Sequence, residues 1–236
     1  LMDGNSSEFQ QIMKTKVIIG TRGSPLAIWQ AEWVRDKVRE WDARIEVDIR
    51  KIKTTGDKIL DAPLAQIGEK GLFVKEIEEA LFAGQIDLAV HSMKDLPTEL
   101  PSGLVLGAVM AREEPWDALV SAEGQTFHRL RMGARIGTSS LRRQAQFLHL
   151  RPDLEIVSLR GNLGTRLGKL SSEGLDGIVV AVAGLVRMGW QGRITEVLPR
   201  QICLPAVGQG ALGIEVRQDS LEELPILFRM REDPEV

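Results

Sequence analysis

The amino-acid sequence predicts an α/β fold with two lobes, each built on a mixed, mainly parallel sheet with flanking helices. Short apolar segments rich in β-branched residues alternate with segments of helical periodicity, which implies crossover connections between parallel strands. A polar stretch broken by proline, residues 111–115, divides this alternation into two halves. Cationic side chains follow several predicted strands in both halves, which favours one ligand-binding cleft between the lobes.

Length, charge and cysteine content limit the class of protein. A chain of 236 residues can bury a sizeable core, and its net charge of −3 argues against a nucleic-acid partner. The longest apolar run, residues 177–186, is too short to span a bilayer, so no membrane partner is expected. The single cysteine can form no internal disulfide, which suits a reducing compartment and predicts a cytoplasmic protein. The polar residues 1–13 predict a disordered leader or an artificial tail.

The first half of the chain alternates strands and helices. Ser24 is a good N-cap and Pro25 a good first residue for a helix that runs to about residue 40, and a second helix is predicted at 72–82. The predicted strands are residues 16–20, 45–52, 86–90 and 104–109. Residues 53–71 show no periodicity, and a loop of this length is usually functional or mobile.

The second half repeats the alternation. Strands are predicted at residues 134–137, 154–159 and 177–182, and helices at residues 139–150 and 162–170. A linker rich in proline and glycine, residues 201–210, then leads to a last strand at 213–216 and a helix at 220–230. We therefore assign residues 14–110 and 209–232 to one domain and residues 111–208 to a second.

A polar cluster follows directly after the buried strand predicted at residues 86–90. Residues 91–95 carry an imidazole, a hydroxyl, an ammonium and a carboxylate group, and Pro97 prevents a helix from continuing here. Such a cluster at the carboxyl end of a strand is typical of ligand sites in open α/β sheets. The alternative is a solvated loop in which Lys94 and Asp95 form a weak surface ion pair.

A block of positive charge lies in the second half. Eight arginines and one lysine fall between Arg129 and Lys169, against two acidic residues. A solvated basic face would explain this block, but Arg142 and Arg143 occupy the first turn of a helix that we expect Ser139 to cap. Cations there oppose the helix dipole, and a bound anion would offset that cost. The same placement near a strand end holds for Arg22, Lys94, Arg160 and Arg166. A small ligand with carboxylate or phosphate groups is therefore expected.

Several other classes of site are not favoured. No glycine-rich nucleotide motif accompanies the arginines, the three histidines are scattered and the cysteine is alone, so neither a nucleotide nor a metal site is predicted. No nucleophile elbow of a hydrolase is present. The presence of Asp95 in such a site then needs an explanation, because its carboxylate would repel a polyanionic ligand. It could accept a ligand N–H or stabilise a cation formed during a reaction.

Nine short segments, in order along the chain, carry a resemblance to a known enzyme family. They are residues 20–27 (GTRGSPLA), 53–57 (KTTGD), 70–76 (KGLFVKE), 89–95 (AVHSMKD), 137–143 (GTSSLRR), 159–162 (LRGN), 164–166 (GTR), 181–185 (AVAGL) and 204–211 (LPAVGQGA). Some of these segments are weak signals by themselves, but together they are specific. In them the sequence resembles the porphobilinogen deaminase (hydroxymethylbilane synthase) family.

The resemblance implies a transferase of tetrapyrrole and haem biosynthesis. Such an enzyme joins four porphobilinogen molecules head to tail, releases ammonia at each step and yields the linear tetrapyrrole hydroxymethylbilane. The product grows on a dipyrromethane cofactor that a cysteine thioether holds covalently. Each pyrrole carries an acetate and a propionate, which agrees with an arginine-rich cleft. The implied fold is the two-lobed fold of type II periplasmic binding proteins, and we expect a monomer.

The resemblance also implies roles for individual residues. Asp95 would contact pyrrole N–H groups and stabilise the azafulvene-type cation left when ammonia departs, and Arg22 would assist proton transfer or ammonia loss. The residues implied in holding the cofactor are Lys94, Ser24, Ser140, Arg142, Arg143, Arg160, Gly161 and Arg166. The residues implied in binding substrate are Arg22, Arg187, Gln209 and Lys70. His91 is expected to pack or hydrogen-bond locally.

The cofactor cysteine is the main departure from the family pattern. The family has a third domain, which carries this cysteine in a Gly-Gly-Cys type of motif beyond the point where this sequence ends. Cys203 precedes Leu204 in the return linker and does not match that motif, so we expect a small, partly buried thiol and not the attachment site. On this interpretation, the 236-residue chain alone holds no covalent cofactor and has little or no turnover.

Two other functions are weighed against the enzyme. A non-enzymatic, two-lobed module that clamps a carboxylate or phosphate ligand would explain the arginines. It gives no reason for Asp95, however, and a transport role predicts a secretory signal. A nucleic-acid binder that uses residues 129–169 is disfavoured by the net charge and by the lack of interleaved aromatic side chains.

Overall fold

Two five-stranded sheets, one in each lobe, organise residues 14–58 and 73–232, which are the residues that this computed structural model describes. The predicted leader, residues 1–13, and most of the predicted loop, residues 59–72, lie outside the described part. Among the described residues, no helix is both long and apolar enough to cross a membrane.

The first lobe combines the N-terminal part of the chain with a segment near its C-terminal end. Its strands are β1 (Lys16–Arg22), β2 (Glu46–Ile52), β3 (Leu88–Ser92), β4 (Leu104–Val109) and β10 (Leu212–Arg217). Its helices are α1 (Pro25–Trp41), the single turn α2 (Thr55–Lys58), α3 (Lys75–Phe82) and α7 (Ile226–Glu232). The strand order is β2-β1-β3-β10-β4, so the chain returns from the second lobe to complete the first sheet.

The second lobe repeats this arrangement. Its strands are β5 (Asp117–Ser121), β6 (Arg135–Gly137), β7 (Glu155–Val157), β8 (Gly177–Ala181) and β9 (Glu196–Leu198). Its helices are α4 (Leu141–Leu150), α5 (Leu163–Ser172) and α6 (Val182–Arg187). The strand order β7-β6-β8-β5-β9 matches that of the first sheet position by position.

Each sheet contains one reversed strand, at the fourth position. In the first sheet, β1 pairs parallel with β2 and β3, whereas β10 runs antiparallel to both β3 and β4. In the second sheet, β5 is the reversed strand between β8 and β9. Four strands of each sheet therefore run in one direction, and the predicted mixed, mainly parallel two-lobed fold is confirmed.

Three elements of the second lobe were not predicted from the sequence. Strand β5 begins with a charged residue, Asp117, so the short apolar run that follows is hard to recognise as a strand. Strand β9 has only three residues. Helix α6 continues directly from β8 in one apolar run, where periodicity cannot separate a buried strand from a buried helix. These elements are the reversed strand itself, its neighbour β9 and the helix that follows its other neighbour, β8. The sequence therefore predicts the parallel part of this sheet better than the antiparallel part.

The expected cap of the helix at 139–150 is wrong by one residue. The helix begins at Leu141 and its N-cap is Ser140, whose hydroxyl accepts a hydrogen bond from the Arg143 amide at 3.5 Å. Ser139 is engaged elsewhere, because its hydroxyl donates to the Leu159 carbonyl at 2.8 Å and accepts from the Leu159 amide at 3.0 Å. Ser139 thus ties the two loops that follow β6 and β7 to each other.

The last helix is shorter than predicted. Residues 220–230 have helical periodicity, but α7 begins only at Ile226 because Pro225 disfavours helical geometry in the residue before it. A 3₁₀ turn, Gln218–Ser220, occupies the start of the predicted segment.

Helix α1 is anchored to the first sheet by its apolar face. Val34 and Val38 of α1 belong to the same buried cluster as Val17 and Ile19 of β1. Burial of such side chains stabilises the packing by roughly 1.5–3 kcal/mol each. The predicted N-cap is confirmed, since the Ser24 hydroxyl accepts a hydrogen bond from the Ala27 amide at 3.3 Å. The start of α1 is therefore held in a fixed position at the carboxyl end of β1.

Two segments connect the lobes, residues 110–116 and 199–211, and they are bonded to each other. The Glu113 amide donates to the Gly210 carbonyl at 3.2 Å, and Arg112 Nε donates to the Gln209 carbonyl at 2.9 Å. Gln209 Nε2 in turn donates to the Pro115 carbonyl at 2.6 Å. The domain limits at 110/111 and 208/209 stay predictions within these two segments.

Replacing Gly210 with alanine tests this close contact between the connecting segments. Gly210 has a φ of +95°, and a Cβ there would lie 2.2 Å from the Glu113 carbonyl oxygen. We expect Gly210→Ala to lower the free energy of unfolding by about 2–4 kcal/mol, measured by urea denaturation. Gly168→Ala is the control, because Gly168 lies in α5 with open space around it, and it should raise stability by about 0.5–1 kcal/mol. Wild-type stability for Gly210→Ala would contradict the contact.

Candidate active site

A cleft of about 600 Å³ lies between the two lobes and is lined by both of them. The charge of its lining is predominantly positive, with seven cationic groups and one carboxylate among the described residues. The charged lining residues are Arg22, Lys53, Lys94, Asp95, Arg143, Arg160, Arg166 and Arg187. The cleft is thus suited to an anionic ligand with several carboxylate or phosphate groups.

The charged residues reach the cleft because they stand at the carboxyl ends of strands or in the helical turns that follow. Arg22 is the last residue of β1, and Asp95 lies in the 3₁₀ turn Met93–Asp95 directly after β3. Arg143 occupies the first turn of α4, and Arg166 lies near the start of α5. Since four strands of each sheet run in one direction, these ends meet at one edge of each lobe.

Helix N-termini add to the positive potential of the cleft. Ser24 caps α1 and Asn162 caps α5, where its Oδ1 accepts from the Thr165 amide at 2.9 Å, and both residues line the cleft. Gly161, which also lines the cleft, has a φ of +112° and its carbonyl accepts from Arg166 Nε at 2.8 Å. This bond holds the Arg166 side chain against the loop at the start of its own helix.

Arg22 packs on an aromatic ring that the site prediction did not include. The Arg22 guanidinium carbon lies 4.1 Å from the centroid of the Phe73 ring, a cation–π contact, and both residues line the cleft. A Cβ at Gly56 would lie 2.2 Å from the same ring, so glycine is needed there. The only signal in the sequence was that Phe73 follows the segment without periodicity.

Burial destabilises the protonated forms of several cationic side chains of the cleft and lowers their pKa values. The surrounding protein desolvates the Lys94 ammonium and lowers its pKa to about 8, although the charge of Asp95 acts in the opposite direction. Burial lowers the pKa of the Arg166 guanidinium, and the positive charge of Arg143 lowers it further. Burial also lowers the pKa of Arg187. An anionic ligand would relieve this unbalanced charge.

Arg143 is held by a buried carboxylate behind the cleft. Its Nη2 lies 2.6 Å from Asp117 Oδ1, and its Nη1 donates to the Val179 carbonyl at 2.7 Å. Its Nε is buried and has no hydrogen-bond partner among the residues that the structure describes. Burial alone would raise the pKa of the Asp117 carboxyl, but Arg143 and Arg142 outweigh burial and hold that pKa at about 2.

Three predicted site residues do not line the cleft, and one lies outside the described residues. Arg142 turns to Asp117, with Nη2 2.7 Å from Oδ2, and its Nη1 donates to the Leu204 carbonyl. Ser140 caps α4, and Gln209 is buried in the connecting segment, where its Oε1 accepts from Lys94 Nζ at 3.1 Å. Lys70 falls within residues 59–72, which the structure does not describe. The ligand-binding roles of these four residues stay predictions.

His91 has the local role that its sequence context indicated. It is buried beside the cleft, and its Nε2 lies 3.0 Å from Oε2 of Glu215, which is also buried. Strand pairing brings the two together, because β3 and β10 are neighbours.

Cys203 is a buried thiol in contact with the same carboxylate as the two arginines. Its Sγ donates to Asp117 Oδ2 at 3.3 Å. Burial, followed by the negative charge of Asp117, raises the pKa of the thiol to about 11. At neutral pH the nucleophilic thiolate is therefore scarce. This agrees with the expectation that Cys203 is not the attachment site, which stays a prediction.

Asp117, which the sequence analysis missed, contacts three of the predicted site residues, Arg142, Arg143 and Gln209. It is fully buried, and its partners come from α4 and from the second connecting segment. A signal was present, since a lone carboxylate opening an apolar run right after Pro115 and Trp116 is unusual. Its partners, however, lie 25 to 92 positions away and could not be read from local sequence.

Fold and cleft together define the class of protein: a two-lobed, type II periplasmic-binding-protein-like fold with a cationic cleft. Solved structures with this fold include the methionine binding protein MetQ, with a TM-score of 0.54 and 14% identity over 94% of this chain and 91% of that chain. The periplasmic domain of BvgS from B. pertussis has a TM-score of 0.51 and 14% identity over 95% of this chain and 42% of that chain. At such low identity these similarities concern the fold alone.

Sequence comparison is more specific. A family model described as "Porphobilinogen deaminase, dipyromethane cofactor binding domain" matches residues 17–224. Porphobilinogen deaminase of Desulforamulus reducens is 54% identical over 91% of this chain, and that of Pelotomaculum thermopropionicum is 57% identical over 92%. The chain belongs to the porphobilinogen deaminase family.

The length of the relatives differs from that of this chain. The chain spans 70% of each of these two relatives, and 66% of the porphobilinogen deaminase of Syntrophotalea carbinolica, which is 58% identical to it over 89% of the chain. Family membership confirms the resemblance seen in the sequence and the assignment to transferases. The matched domain description agrees with a dipyrromethane cofactor.

The thiol of Cys203 gives a direct test of the site as described. We expect the intact mass of the purified chain to equal its sequence mass, with no dipyrromethane on Cys203, because the thiol is buried and its pKa is about 11. Iodoacetamide at pH 8 should label Cys203 slowly in the folded chain and fully in urea. A dipyrromethane adduct that peptide mapping places on Cys203 would refute this expectation.

Proposed function

We propose that this chain forms the cleft in which a porphobilinogen deaminase joins four porphobilinogen molecules head to tail. One ammonia is released at each addition, and the product is hydroxymethylbilane. The observation that carries the proposal is that, among the described residues, the cleft holds one carboxylate, Asp95, and seven cationic groups. The high identity to named porphobilinogen deaminases supports it.

The cations would bind the carboxylates of the pyrroles. Each porphobilinogen carries one acetate and one propionate, and a guanidinium can bind a carboxylate through two parallel hydrogen bonds. Arg143 is suited to this role because its buried Nε lacks a partner within residues 14–58 and 73–232, so a ligand oxygen would satisfy a donor that is already desolvated. Arg22 and Arg187 from opposite lobes would bind the incoming substrate.

The residues present fit a dipyrromethane, which brings four further carboxylates. Lys94, Ser24, Arg160, Gly161 and Arg166 line the cleft and would hold it together with Arg143. When bound, the cofactor supplies the pyrrole end to which the first substrate is joined. The cationic lining would fix its carboxylates, and the orphan Nε of Arg143 offers one donor for them.

Asp95 would do the chemistry that the cations cannot. A carboxylate accepts hydrogen bonds from pyrrole N–H groups and stabilises positive charge, whereas arginine and lysine do neither. Loss of ammonia from the aminomethyl group leaves a cation on the substrate, and a fixed carboxylate in a poorly hydrated cleft favours it strongly. The Arg22 guanidinium carries hydrogen-bond donors and no acceptor, so its part in ammonia loss would be to orient the leaving group.

A non-enzymatic carboxylate-binding module is the second candidate, and the fold similarity to periplasmic binding proteins favours it. Asp95 counts against it, since a carboxylate in the cleft would repel the anion that such a module binds. We further propose that the protein acts in the cytoplasm as a monomer without a nucleic-acid partner, which its acidic net charge and single cysteine support.

Asp95→Asn separates catalysis from binding. In an enzyme that carries this chain and its covalent dipyrromethane, we expect Asp95→Asn to reduce porphobilinogen consumption by about 10²–10⁴-fold, because the cation loses its counter-charge. Binding of the substrate carboxylates should be retained. Asp36→Asn, which removes an exposed carboxylate of α1, is the matched control and should leave consumption unchanged. Wild-type consumption by Asp95→Asn would refute the catalytic role of Asp95, and a wild type that binds but never consumes porphobilinogen would favour the binding module.

A further inference from the structure

Asp117 connects four side chains that arrive from separate parts of the chain. It is the first residue of β5 and is fully buried. Its carboxylate lies 2.6 Å from Arg143 Nη2 and 2.7 Å from Arg142 Nη2. It also accepts from Gln209 Nε2 at 3.0 Å and from the Cys203 thiol at 3.3 Å. No residue of this cluster other than Arg143 lines the cleft.

The charges of this cluster do not cancel. One carboxylate faces two guanidinium groups, so one positive charge remains, and Arg143 presents it to the cleft. The Asp117 and Val179 bonds take up both terminal nitrogens of Arg143, and its buried Nε is a donor without a partner in the described part of the chain.

Gln209 connects Asp117 to the first lobe by hydrogen bonds. Its Nε2 donates to both Asp117 Oδ1 at 3.0 Å and the Pro115 carbonyl at 2.6 Å, and these two acceptors fix the orientation of the amide. The amide oxygen is thereby turned to Lys94, whose Nζ donates to it at 3.1 Å. A continuous path of hydrogen bonds therefore joins Lys94 of the first lobe to Arg143 of the second.

We propose that Asp117 is a positioning residue, which sets the separation of Arg143 and Lys94 and thereby matches the cleft to a ligand that carries carboxylates on both sides. The identity of that ligand as a pyrrole dicarboxylate rests on the proposed function, whereas the positioning does not. Asp117 itself stays behind the cleft and touches neither substrate nor cofactor.

The same path gives Asp117 a measurable effect on the Lys94 ammonium. Four charged groups face Lys94: Asp95 from its own turn, Asp117 from β5, Arg143 from α4 and Arg166 from α5. The two carboxylates favour its protonated form and the two arginines oppose it, in addition to the loss of water. Removing the charge of Asp117 therefore lowers the pKa of Lys94 below its value of about 8, and the ammonium loses its proton at a lower pH.

The titration of Lys94 tests the proposal without any ligand. The chain is labelled with ¹³Cε-lysine, the Lys94 signal is assigned by its loss in Lys94→Arg, and its midpoint is followed by NMR. We expect Asp117→Asn to move the midpoint down by at least about 0.5 pH unit. Asp153→Asn is the matched control, because Asp153 also binds an arginine and has a pKa of about 2, but contacts Arg151 away from the cleft. It should leave the midpoint unchanged.

A second variant covers the case in which Asp117→Asn does not fold. Gln209→Met removes the connection to Lys94 but leaves Asp117 paired with both arginines, so no buried charge loses its partner. It should also lower the Lys94 midpoint, because the ammonium loses its acceptor. If Asp117→Asn does not fold, Gln209→Met decides alone.

Calorimetry with porphobilinogen completes the test. We expect Asp117→Asn and Gln209→Met each to weaken its binding at least tenfold, with Asp153→Asn unchanged. Unchanged Lys94 midpoints in both variants, or unchanged porphobilinogen affinity, would overturn the positioning role. A third outcome is that the Lys94 midpoint shifts in the variants while the wild-type chain binds no porphobilinogen. This result would support the positioning role of Asp117 and refute the proposed ligand.

Discussion

One cation of the cleft, Arg143, is held in place by a carboxylate that lies outside the cleft. Asp117 receives hydrogen bonds from two neighbouring arginines of α4, and their charges hold its pKa at about 2 although it is fully buried. A buried ion pair adds little net stability, because both partners lose their water, but removing one partner is costly. Its role here is geometric, since it holds both guanidinium groups in place. Arg143 lines the cleft, whereas Arg142 lies behind it and donates to the Leu204 carbonyl.

The repeated strand order explains why both lobes contribute charges of the same sign to the cleft. In each sheet three parallel strands lie side by side, followed by one reversed strand, so the loops after the parallel strands share one edge. Helix N-termini and cationic side chains collect at these two edges, where an anion is attracted by both. The connecting segments are bonded to each other, and Gln209 extends that contact to Lys94. Gln209 thus contacts the other connecting segment, Asp117 of the second lobe and Lys94 of the cleft.

The parts of the fold that depend on local signals could be predicted from the sequence. Ser24 and Pro25 predict the start of α1, and β4 has the predicted bounds, because caps and short apolar runs act within a few residues. The strand-end positions of Arg22, Asp95, Arg143 and Arg166 also followed from the alternation of strands and helices, and all four line the cleft.

What the sequence could not predict depends on distant partners. Arg142 and Arg143 are adjacent, carry the same charge and both pair with Asp117, yet only Arg143 lines the cleft, while Arg142 donates to the distant Leu204 carbonyl. Ser139 and Ser140 are also equivalent caps locally, until Leu159 binds the first of them. Strand β5 was missed because its opening residue is charged, and its antiparallel neighbours β8 and β9 lie far along the chain. The contact of Phe73 to Arg22 could not be predicted, because it crosses more than 50 residues.

The central claim is that the cleft recognises carboxylates on a pyrrole through desolvated cations. The most direct measurement is calorimetric titration of the chain with porphobilinogen and with its diester, in which both carboxylates are neutral, at low salt and at 0.5 M salt. We expect porphobilinogen to bind, the diester to bind at least 100-fold more weakly, and salt to weaken the binding of porphobilinogen only. Equal affinity for the acid and the diester, independent of salt, would contradict it.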